Sequence, residues 1–230
     1  PLWSRGLGDV YKRQLVRNFI FITEDKNNYM RIFAKKNNIL CFDHDPNIGG
    51  RFSIFSITSL LPLISIGYSL PKIIKSFIEA KKLFEKNHRD LSKYTLYSIA
   101  YEKKFDLNIL VGLSYHDKIN AVNEWYRQIF AESLGKNKNA KNYISSYGSI
   151  DQHSQFQLYI DGPYDKHFNF FKIKNNNKAV NSNASLIKGY NLMSTLENGA
   201  IKTLQQKKFL VTQISICLLY TSDAADDMQC

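Results

Sequence analysis

The sequence predicts an α/β protein built on parallel sheets, and its hydrophobic pattern carries that prediction. Short runs rich in β-branched and aromatic residues recur along the chain, beginning with NFIFIT at 18–23 and ILCF at 39–42. Between such runs, apolar residues are spaced three and four apart, which is the period of an amphipathic helix. Alternating strands and helices are typical of βαβ units, whose strands are parallel. We therefore expect one sheet before about Lys86 and another after about Leu107.

The first half of the chain begins with one βαβ unit. Tyr29, Ile32 and Phe33 place a helix between the first two strands, and a loop follows from Asp45 through Gly49-Gly50. The run FSIFSITSLLPLISIGYSLP at 52–71 then contains no charged residue. Its length permits a membrane span, but its five serines and central Pro62 favour a buried helix pair that covers the sheet.

Two helices are predicted between the sheets. Pro71 suits the first position of a helix, and one apolar stripe follows it: Ile73, Ile74, Phe77, Ile78 and Phe84. A second helix over about 92–104 carries Tyr94, Tyr97 and Tyr101 on one face. Aromatic and aliphatic stripes of this kind usually face a core, so we expect both to be buried.

The second half repeats the alternation of strands and helices. LNILVGLSY at 107–115 predicts a strand, Asp117 can cap the next helix, and Gly135 ends it. The remaining predicted elements are a loop at 135–142, a helix through 155–160 that stops at Gly162-Pro163, a strand at 166–173, a surface loop at 175–183, a helix at 191–207 and a strand at 209–216.

The two ends of the chain are interpreted as translated sequencing adapter. Asp9–Gln14 can be encoded by GATGTGTATAAGAGACAG, and the reverse complement of that string, read one base later, encodes Cys217–Ser222. Two unrelated protein termini should not be reverse complements at the DNA level. We therefore exclude residues 1–14 and 217–230 from fold reasoning, as one would exclude a tag, and take Leu15–Ile216 as natural sequence open at both ends.

Composition narrows the classes of protein and partner. The net charge is +11, and a basic balance can indicate nucleic acid, a membrane surface or an anionic substrate. No Lys/Arg stripe alternates with aromatic residues as a nucleic-acid face requires, so we expect neither nucleic acid nor membrane as a partner. Cys41 is the one cysteine outside the adapter, which gives no disulfide or zinc framework and fits a reducing cytoplasm.

Three short motifs contain the candidate functional residues: NIGGR at 47–51, QIFAESLGK at 128–136 and DQHSQ at 151–155. Glu132 would lie in the last helical turn, at the negative end of the helix dipole, where a cation is expected. His153 is an acid/base group and Arg51 a fixed cation. Singly, these motifs also fit a turn, a helix end and a structural histidine.

Together, the three residue types suit one kind of chemistry. A base, an acid/base group and an anion clamp are what proton transfer beside a carbonyl group requires. Asp43-His44-Asp45 lacks further ligands at a recognisable spacing, so no metal site is predicted.

These motifs resemble those of the glucose-6-phosphate isomerase family. IGGRFSIFSITSLLP resembles its Gly-Gly-Arg-(Phe/Tyr)-Ser signature, and WYRQIFAESLGKN resembles its Trp-x-x-Gln-x-x-x-Glu-Ser-x-Gly-Lys segment. GSIDQHSQFQLYIDGP is similar to the Gln-His segment of its bacterial branch. The three occur in family order with family-like spacing, and the resemblance covers essentially the whole natural segment. One departure is Pro46-Asn47, which stands where many members have an acidic or small residue.

The resemblance implies a role for each of five residues. Glu132 matches the carboxylate that moves a proton between C1 and C2, and His153 matches the histidine that assists ring opening. Arg51 matches the arginine that stabilises the enediolate, and Gln128 matches the glutamine that helps to hold the phosphate. Gly50 matches the position where backbone approaches the sugar. The family implies no cofactor.

The resemblance also implies a fold and an assembly. The fold is the sugar-isomerase (SIS) type, a three-layer α/β/α sandwich with parallel sheets. Residues 15–86 would be the C-terminal part of a first SIS domain together with a connecting helix. Residues 87–216 would be the N-terminal part of a second SIS domain and would make up most of it. The family is dimeric, and His153 would serve the neighbouring subunit.

Two further expectations follow from the resemblance. The phosphate loop would precede Leu15 and the catalytic lysine would follow Ile216, so the 230-residue chain alone is expected to be inactive. The alternative is a non-catalytic sugar-phosphate-binding module on the same fold, which would not need the base.

Overall fold

A computed structural model describes residues 14, 16, 18–136, 138, 140–173 and 184–216, with side chains from 192 onward in the last range. Residues 1–13 and 217–230, which we interpret as adapter, lie outside the described residues, as does the loop expected at 175–183. The chain divides between Ile78 and Glu79 into two compact units.

The first unit contains the predicted βαβ motif. Strand β1 (Ile20–Glu24) and strand β2 (Leu40–His44) pair in parallel, and helix α1 (Tyr29–Asn37) connects them. The side chain of Asn28 caps α1 by accepting the backbone N–H of Arg31 at 3.0 Å. Asn38 ends the helix in the left-handed conformation, with φ of 55°.

The charge-free run does not form the expected buried helix pair, so that prediction was wrong. It forms a 3-10 helix (Gly50–Phe55) and the nine-residue helix α2 (Ile57–Ser65), which Ser56 separates. Phe52 and Phe55 remain exposed. The hydroxyl of Ser56 accepts the backbone N–H of Thr58, and this cap interrupts a run that apolar character alone would have continued. Among the described residues, no helix is long and apolar enough to span a membrane.

One helix of 35 residues, α3 (Leu70–Lys104), replaces the two predicted helices. The polar stretch between them contains neither Gly nor Pro, and hydroxyl and amide side chains along it bond to carbonyls one turn back, so nothing breaks the helix. The apolar stripes are not buried as expected: Phe84 is 61% and Tyr97 75% exposed. At 1.5 Å per residue the helix is about 50 Å long, whereas a six-residue strand spans about 20 Å, so a short sheet cannot cover it.

The second unit is built on a four-stranded parallel sheet. Its strands are β3 (Ile109–Ser114), β4 (Asn142–Tyr147), β5 (Lys166–Ile173) and β6 (Leu210–Ile216), in the order β4-β3-β5-β6. Sequence analysis missed β4 and assigned its first residue to a loop. It lies at an edge of the described sheet, and exposed Asn142 and Ile144 give it a weak strand pattern.

Four helices accompany this sheet: α4 (Asp117–Leu134), α5 (Gly148–Ser154), α6 (Phe156–Asp161) and α7 (Ala184–Gln206). On one face, Asn123 of α4 donates to the carbonyl of Gly112 at 2.9 Å, and Tyr126 packs edge-on against Phe171 at 5.4 Å. The opposite face carries the hydrophobic core, whose buried members are Val111, Leu113, Tyr115, Tyr159, Phe168, Phe170, Ala200, Ile201, Leu204 and Phe209. Helices therefore cover both faces of this sheet, which confirms the predicted α/β/α layers.

A cluster of charged side chains lies on the same face of the sheet as α4, near the amino ends of the strands. Glu102 of α3 is 11% exposed and contacts Nδ1 of His167 at 2.6 Å and the Lys141 ammonium at 2.5 Å. The other ring nitrogen of His167 lies 2.7 Å from the Thr212 hydroxyl. Burial alone would raise the pKa of Glu102, but His167 and Lys141 hold it below its ordinary value. The cluster ties α3, β5, β6 and the start of β4 together.

Gly112→Ala is expected to destabilise the second unit. A methyl group at this position would collide with the Tyr143 hydroxyl and the Asn123 amide oxygen, and overpacking of this kind costs about 1–3 kcal/mol. Gly199→Ala is the matched control, because nothing lies within 4 Å of its added methyl group and alanine favours a helix by about 1 kcal/mol. Urea unfolding of both variants measures the difference; an equally stable Gly112→Ala protein would contradict the packing of α4 on β3.

Glu102→Gln is expected to lower stability at neutral pH and to flatten its loss in acid. Because the folded pKa of Glu102 is depressed, its contribution is present above its unfolded value, ordinarily 4.5, and is lost as pH falls through the folded value. Removing one partner of a buried ion pair costs about 3–5 kcal/mol. Glu85→Gln is the control, since Glu85 is exposed and 3.8 Å from Lys81. Parallel pH–stability curves for the parent and Glu102→Gln proteins would rule out this role.

Candidate active site

Helix α4 places Glu132 where the sequence predicts it. The helix begins at Asp117, and its last turn contains no basic residue. The backbone N–H of Gly135 closes the helix on the carbonyl of Ala131 at 2.8 Å. Glu132 is exposed in that last turn, close to the carbonyl groups that make a helix C-terminus negative.

Gln128 and Glu132 are brought into direct contact. They stand four residues apart on α4, and the Gln128 amide donates to Oε1 of Glu132 at 2.9 Å. Residues at this spacing lie one above the other on a helix. The hydrogen bond orients the carboxylate and keeps both side chains on the same face of α4.

An open depression of about 830 Å³ adjoins this pair. The C-terminal half of α4 forms one wall, and residues 140–143, where β4 begins, form the other. Its polar lining includes Glu124 and Arg127, which form an ion pair at 2.7 Å, as well as Gln128, Glu132 and Lys141. A volume of this order accommodates a small polar metabolite, and the lining offers it a carboxylate, an amide and a cation.

His153 lies at the other end of β4. It is exposed on α5, which begins directly after β4. Two neighbours hold α5 at this edge: the Asp151 carboxylate accepts the N–H of Tyr147 at 2.7 Å, and Gln152 accepts the Tyr115 hydroxyl at 3.1 Å. The depression containing Glu132 adjoins the first residue of β4, Asn142, and a six-residue strand is about 20 Å long. Within one chain, Glu132 therefore lies near the amino ends of the strands, which we call the amino edge of the sheet. His153 lies near their carboxyl ends, which we call the carboxyl edge.

Arg51 and Gly50 belong to the first unit, whereas Gln128, Glu132 and His153 belong to the second. Arg51 lies in the 3-10 helix after β2, and its guanidinium stacks over the Phe52 ring at 4.9 Å from the centroid. No atom lies within 4 Å of a Cβ built on Gly50, so the space beside its backbone is open.

The Asp43-His44-Asp45 motif is occupied by structural contacts. Asp43 pairs with Arg31 at 2.6 Å, and the His44 ring bonds to the Ile48 carbonyl at 3.1 Å. Across the part of the chain that the structure describes, no three His, Cys, Asp or Glu side chains group as metal ligands.

Sequence analysis missed several residues that line the depression. Glu124 lies on the same helical stripe as Gln128 and Glu132, at a spacing of four, so this polar stripe was a usable signal. Lys141 and Tyr143 gave no such signal, because they lie in or next to a segment that looked like a loop.

Comparison with known proteins places the chain in a family. It is 36% identical over 171 residues to the glucose-6-phosphate isomerase of Campylobacter jejuni, a match that covers 73% of this chain and 41% of that protein. It is also 36% identical over 160 residues to the glucose-6-phosphate isomerase of Methanocaldococcus jannaschii, covering 67% and 39%. The matched segment belongs to the glucose-6-phosphate isomerase family.

The remaining comparisons concern family models and fold. No protein-family model matches the sequence. A hypothetical protein of Thermus thermophilus has a similar fold, with a TM-score of 0.70, 22% identity and coverage of 87% of this chain and 52% of that one. The chain spans about 40% of the length of the curated isomerase relatives named above.

In this isomerase-family chain, Glu132→Gln is expected to raise stability slightly. The substitution keeps the shape and the hydrogen-bonding partner but removes a negative charge from the C-terminal end of α4, an interaction worth about 0.3–1 kcal/mol. Asp117→Asn is the matched control, since the same charge removed from the N-terminal turn should lower stability. Denaturant midpoints at low salt compare the two; a loss of stability in Glu132→Gln would show that its contacts outweigh the helix dipole.

Proposed function

We propose that the natural protein is an aldose–ketose isomerase that interconverts glucose 6-phosphate and fructose 6-phosphate through a cis-enediolate. The similarity to curated glucose-6-phosphate isomerases carries this proposal. The contact of Gln128 with Glu132 beside a polar depression supports it. In this proposal, residues 15–86 and 87–216 are parts of two SIS domains, and the protein acts in glycolysis and gluconeogenesis.

Glu132 is the proposed base. In the open-chain aldose it takes the proton from C2, the C2 electron pair forms the C1–C2 double bond, and the carbonyl electrons move to O1. The proton on O2 then passes to O1, the C2 carbonyl forms, and the C1–C2 double-bond electrons take the proton back from Glu132 at C1, which gives the ketose. Arg51 stabilises the negative oxygen of the intermediate, and Gly50 lets the backbone approach the sugar.

Gln128 orients Glu132 in the structure and is proposed to contact the phosphate when substrate is bound. An amide suits both tasks, because it carries donors and an acceptor on one group. Its position one helical turn before Glu132 places the phosphate contact beside the base.

His153 is proposed to act on the substrate of a neighbouring subunit in a homodimer. The location of Glu132 and His153 at opposite edges of one sheet supports this arrangement, since a single chain cannot bring them to one sugar within the second unit. The histidine would donate a proton to the ring oxygen when the sugar opens.

The proposed setting is a cytoplasmic enzyme with a sugar phosphate as its small-molecule partner and no cofactor. The free thiol of Cys41 fits a reducing compartment. A non-catalytic sugar-phosphate-binding module is the alternative, and it differs in one respect: it would bind the ligand without needing a base.

Glu132→Gln in the restored full-length protein separates these two functions. General acid–base catalysis is worth about 10²–10⁴-fold, and we expect turnover to fall by the upper end of that range or more. Competitive binding of a sugar-phosphate analogue should change little, because Gln128 and Arg51 remain. His153→Ala should reduce turnover of the closed-ring sugar more than that of an open-chain substrate.

Steady-state kinetics and analogue binding on the same preparations give the answer. Retained turnover in the Glu132→Gln enzyme would assign the base elsewhere. Binding of the analogue without turnover in the parent protein would favour the non-catalytic module.

A further inference from the structure

The sheet of the second unit has a buried carboxylate near the carboxyl ends of its strands. The proposed isomerase chemistry does not use this group. Glu197 of α7 is 2% exposed. Its Oε1 is buried and has no hydrogen-bond partner in the described part of the chain. Leaving a buried polar atom unpaired costs free energy, so a carboxylate in this position needs an explanation.

Lys172 balances the charge of Glu197 but does not complete its hydrogen bonding. The Lys172 ammonium lies 3.6 Å from Oε2 of Glu197, which is too long for a hydrogen bond. That ammonium donates instead to the side-chain oxygen of Asn198 at 3.0 Å. Burial raises the pKa of Glu197 above its ordinary value, and Lys172 offsets only part of that effect. The fold therefore holds a carboxylate that it does not fully stabilise.

The topology places this carboxylate where parallel sheets bind ligands. From β3 the chain passes to β4 on one side, and then to β5 and β6 on the other. The carboxyl ends of β3 and β5 therefore flank the point where the strand order reverses, which is the usual ligand crevice of such sheets. Lys172 is the penultimate residue of β5, and Tyr115 directly follows β3. The contact of Glu197 with Lys172 places the carboxylate near the end of β5. Burial raises the pKa of Tyr115, and the charge of Glu197 adds to that effect.

We propose that Glu197, Lys172 and Asn198 form a second ligand subsite that binds a hydroxyl group of a sugar. Oε1 of Glu197 needs a hydrogen-bond donor, and the Lys172 ammonium beside Oε2 can donate to the same ligand group. A ligand that bound through an ammonium group would place two cations, its own and that of Lys172, around one carboxylate. A neutral hydroxyl keeps the charge balanced, because it donates to Glu197 and accepts from Lys172.

Two residues at the rim of the subsite contact solvent, although Oε1 of Glu197 itself is buried, and the subsite is separate from the depression beside Glu132. Asn198 is exposed and Lys172 is partly exposed, so a ligand could approach between them. Glu197 lies at the carboxyl edge of the sheet, whereas Glu132 lies near the amino edge. The subsite therefore provides a place where a sugar could bind without occupying the proposed catalytic depression.

A titration of the ¹⁵N-labelled 230-residue chain with glucose tests this proposal. Glucose has the hydroxyl groups and lacks the phosphate, so it probes the subsite chemistry alone. We expect amide shifts to concentrate at Tyr115, Lys172, Glu197 and Asn198. The Glu197→Gln variant should bind glucose about 10- to 100-fold more weakly, as expected for a hydrogen bond to a charged acceptor.

Two controls keep the test decisive. Glu197→Gln should be at least as stable as the parent at neutral pH, since the folded pKa of Glu197 is raised and its stability contribution is lost as pH rises through that value. Lys172→Met removes the other proposed partner and should also weaken binding. Glu132→Gln should leave the shifts at the Glu197 subsite unchanged.

Several results would overturn the subsite. The first is an unchanged glucose affinity in the Glu197→Gln variant. The second is amide shifts that are confined to residues near Gln128 and Glu132. The third is the absence of amide shifts, which is expected if an ordered water molecule satisfies Glu197. None of these bears on isomerase turnover in the full-length protein, so failure of this proposal and failure of the proposed function remain distinguishable.

Discussion

The parallel pairing of β3 with a neighbour on each side determines where every candidate residue of the second unit lies. β3 pairs with β4 along one edge and with β5 along the other, from Ile109 to Ser114 in both cases. A parallel connection must bring the chain back to the starting edge of the sheet, so α4 ends beside the first residues of β4. That return puts Glu132 at the amino edge. The next strand then carries the chain to the carboxyl edge, where α5 presents His153.

The close approach of α4 to β3 makes this arrangement specific. Gly112 leaves room for the Tyr143 hydroxyl and the Asn123 amide, which fill the space a side chain would take. The other face is packed with aromatic rings, including Phe168 and Phe170. Because the α4 face combines these polar contacts with the packing of Tyr126 on Phe171, whereas the other face is packed by the hydrophobic core, the two faces are not interchangeable.

Much of this fold could be predicted from sequence, and the failures have physical causes. β3 is a nearly continuous apolar run and β5 carries three phenylalanines, so their burial can be recognised in the residues. β4 is an edge strand with exposed side chains and lacks that signal. The polar middle of α3 looked like a boundary, but without Gly or Pro it continues the helix.

The candidate site could be predicted in part for a similar reason. Glu132 could be identified because a carboxylate conflicts with the negative end of α4, and such conflicts tend to mark functional positions. Gln128 precedes it by one helical turn, but its candidate role came only from the resemblance to the isomerase family. Glu197 gave no such signal, since a glutamate within an amphipathic helix normally faces solvent. Its burial depends on how α7 packs against β5, which local sequence does not contain.

Three glutamates of the second unit illustrate different ways of placing a carboxylate. Glu102 is largely buried, with its side chain 11% exposed, and is compensated by His167 and Lys141, so its role is structural. Glu132 is exposed at an unfavourable helix end beside an open depression. Glu197 is buried with one oxygen unpaired. Of these three, only Glu102 is placed as stability alone would require, which is why we propose a chemical role for Glu132 and ligand binding for Glu197.

The central claim is that Glu132 transfers a proton between adjacent carbons of a sugar phosphate. A base that holds a proton during the reaction can exchange it with solvent, so isomerisation in heavy water should place deuterium on C1 or C2. The account predicts that the restored full-length protein incorporates deuterium into fructose 6-phosphate formed from glucose 6-phosphate, and that the Glu132→Gln protein does not. Equal incorporation by both proteins would contradict it.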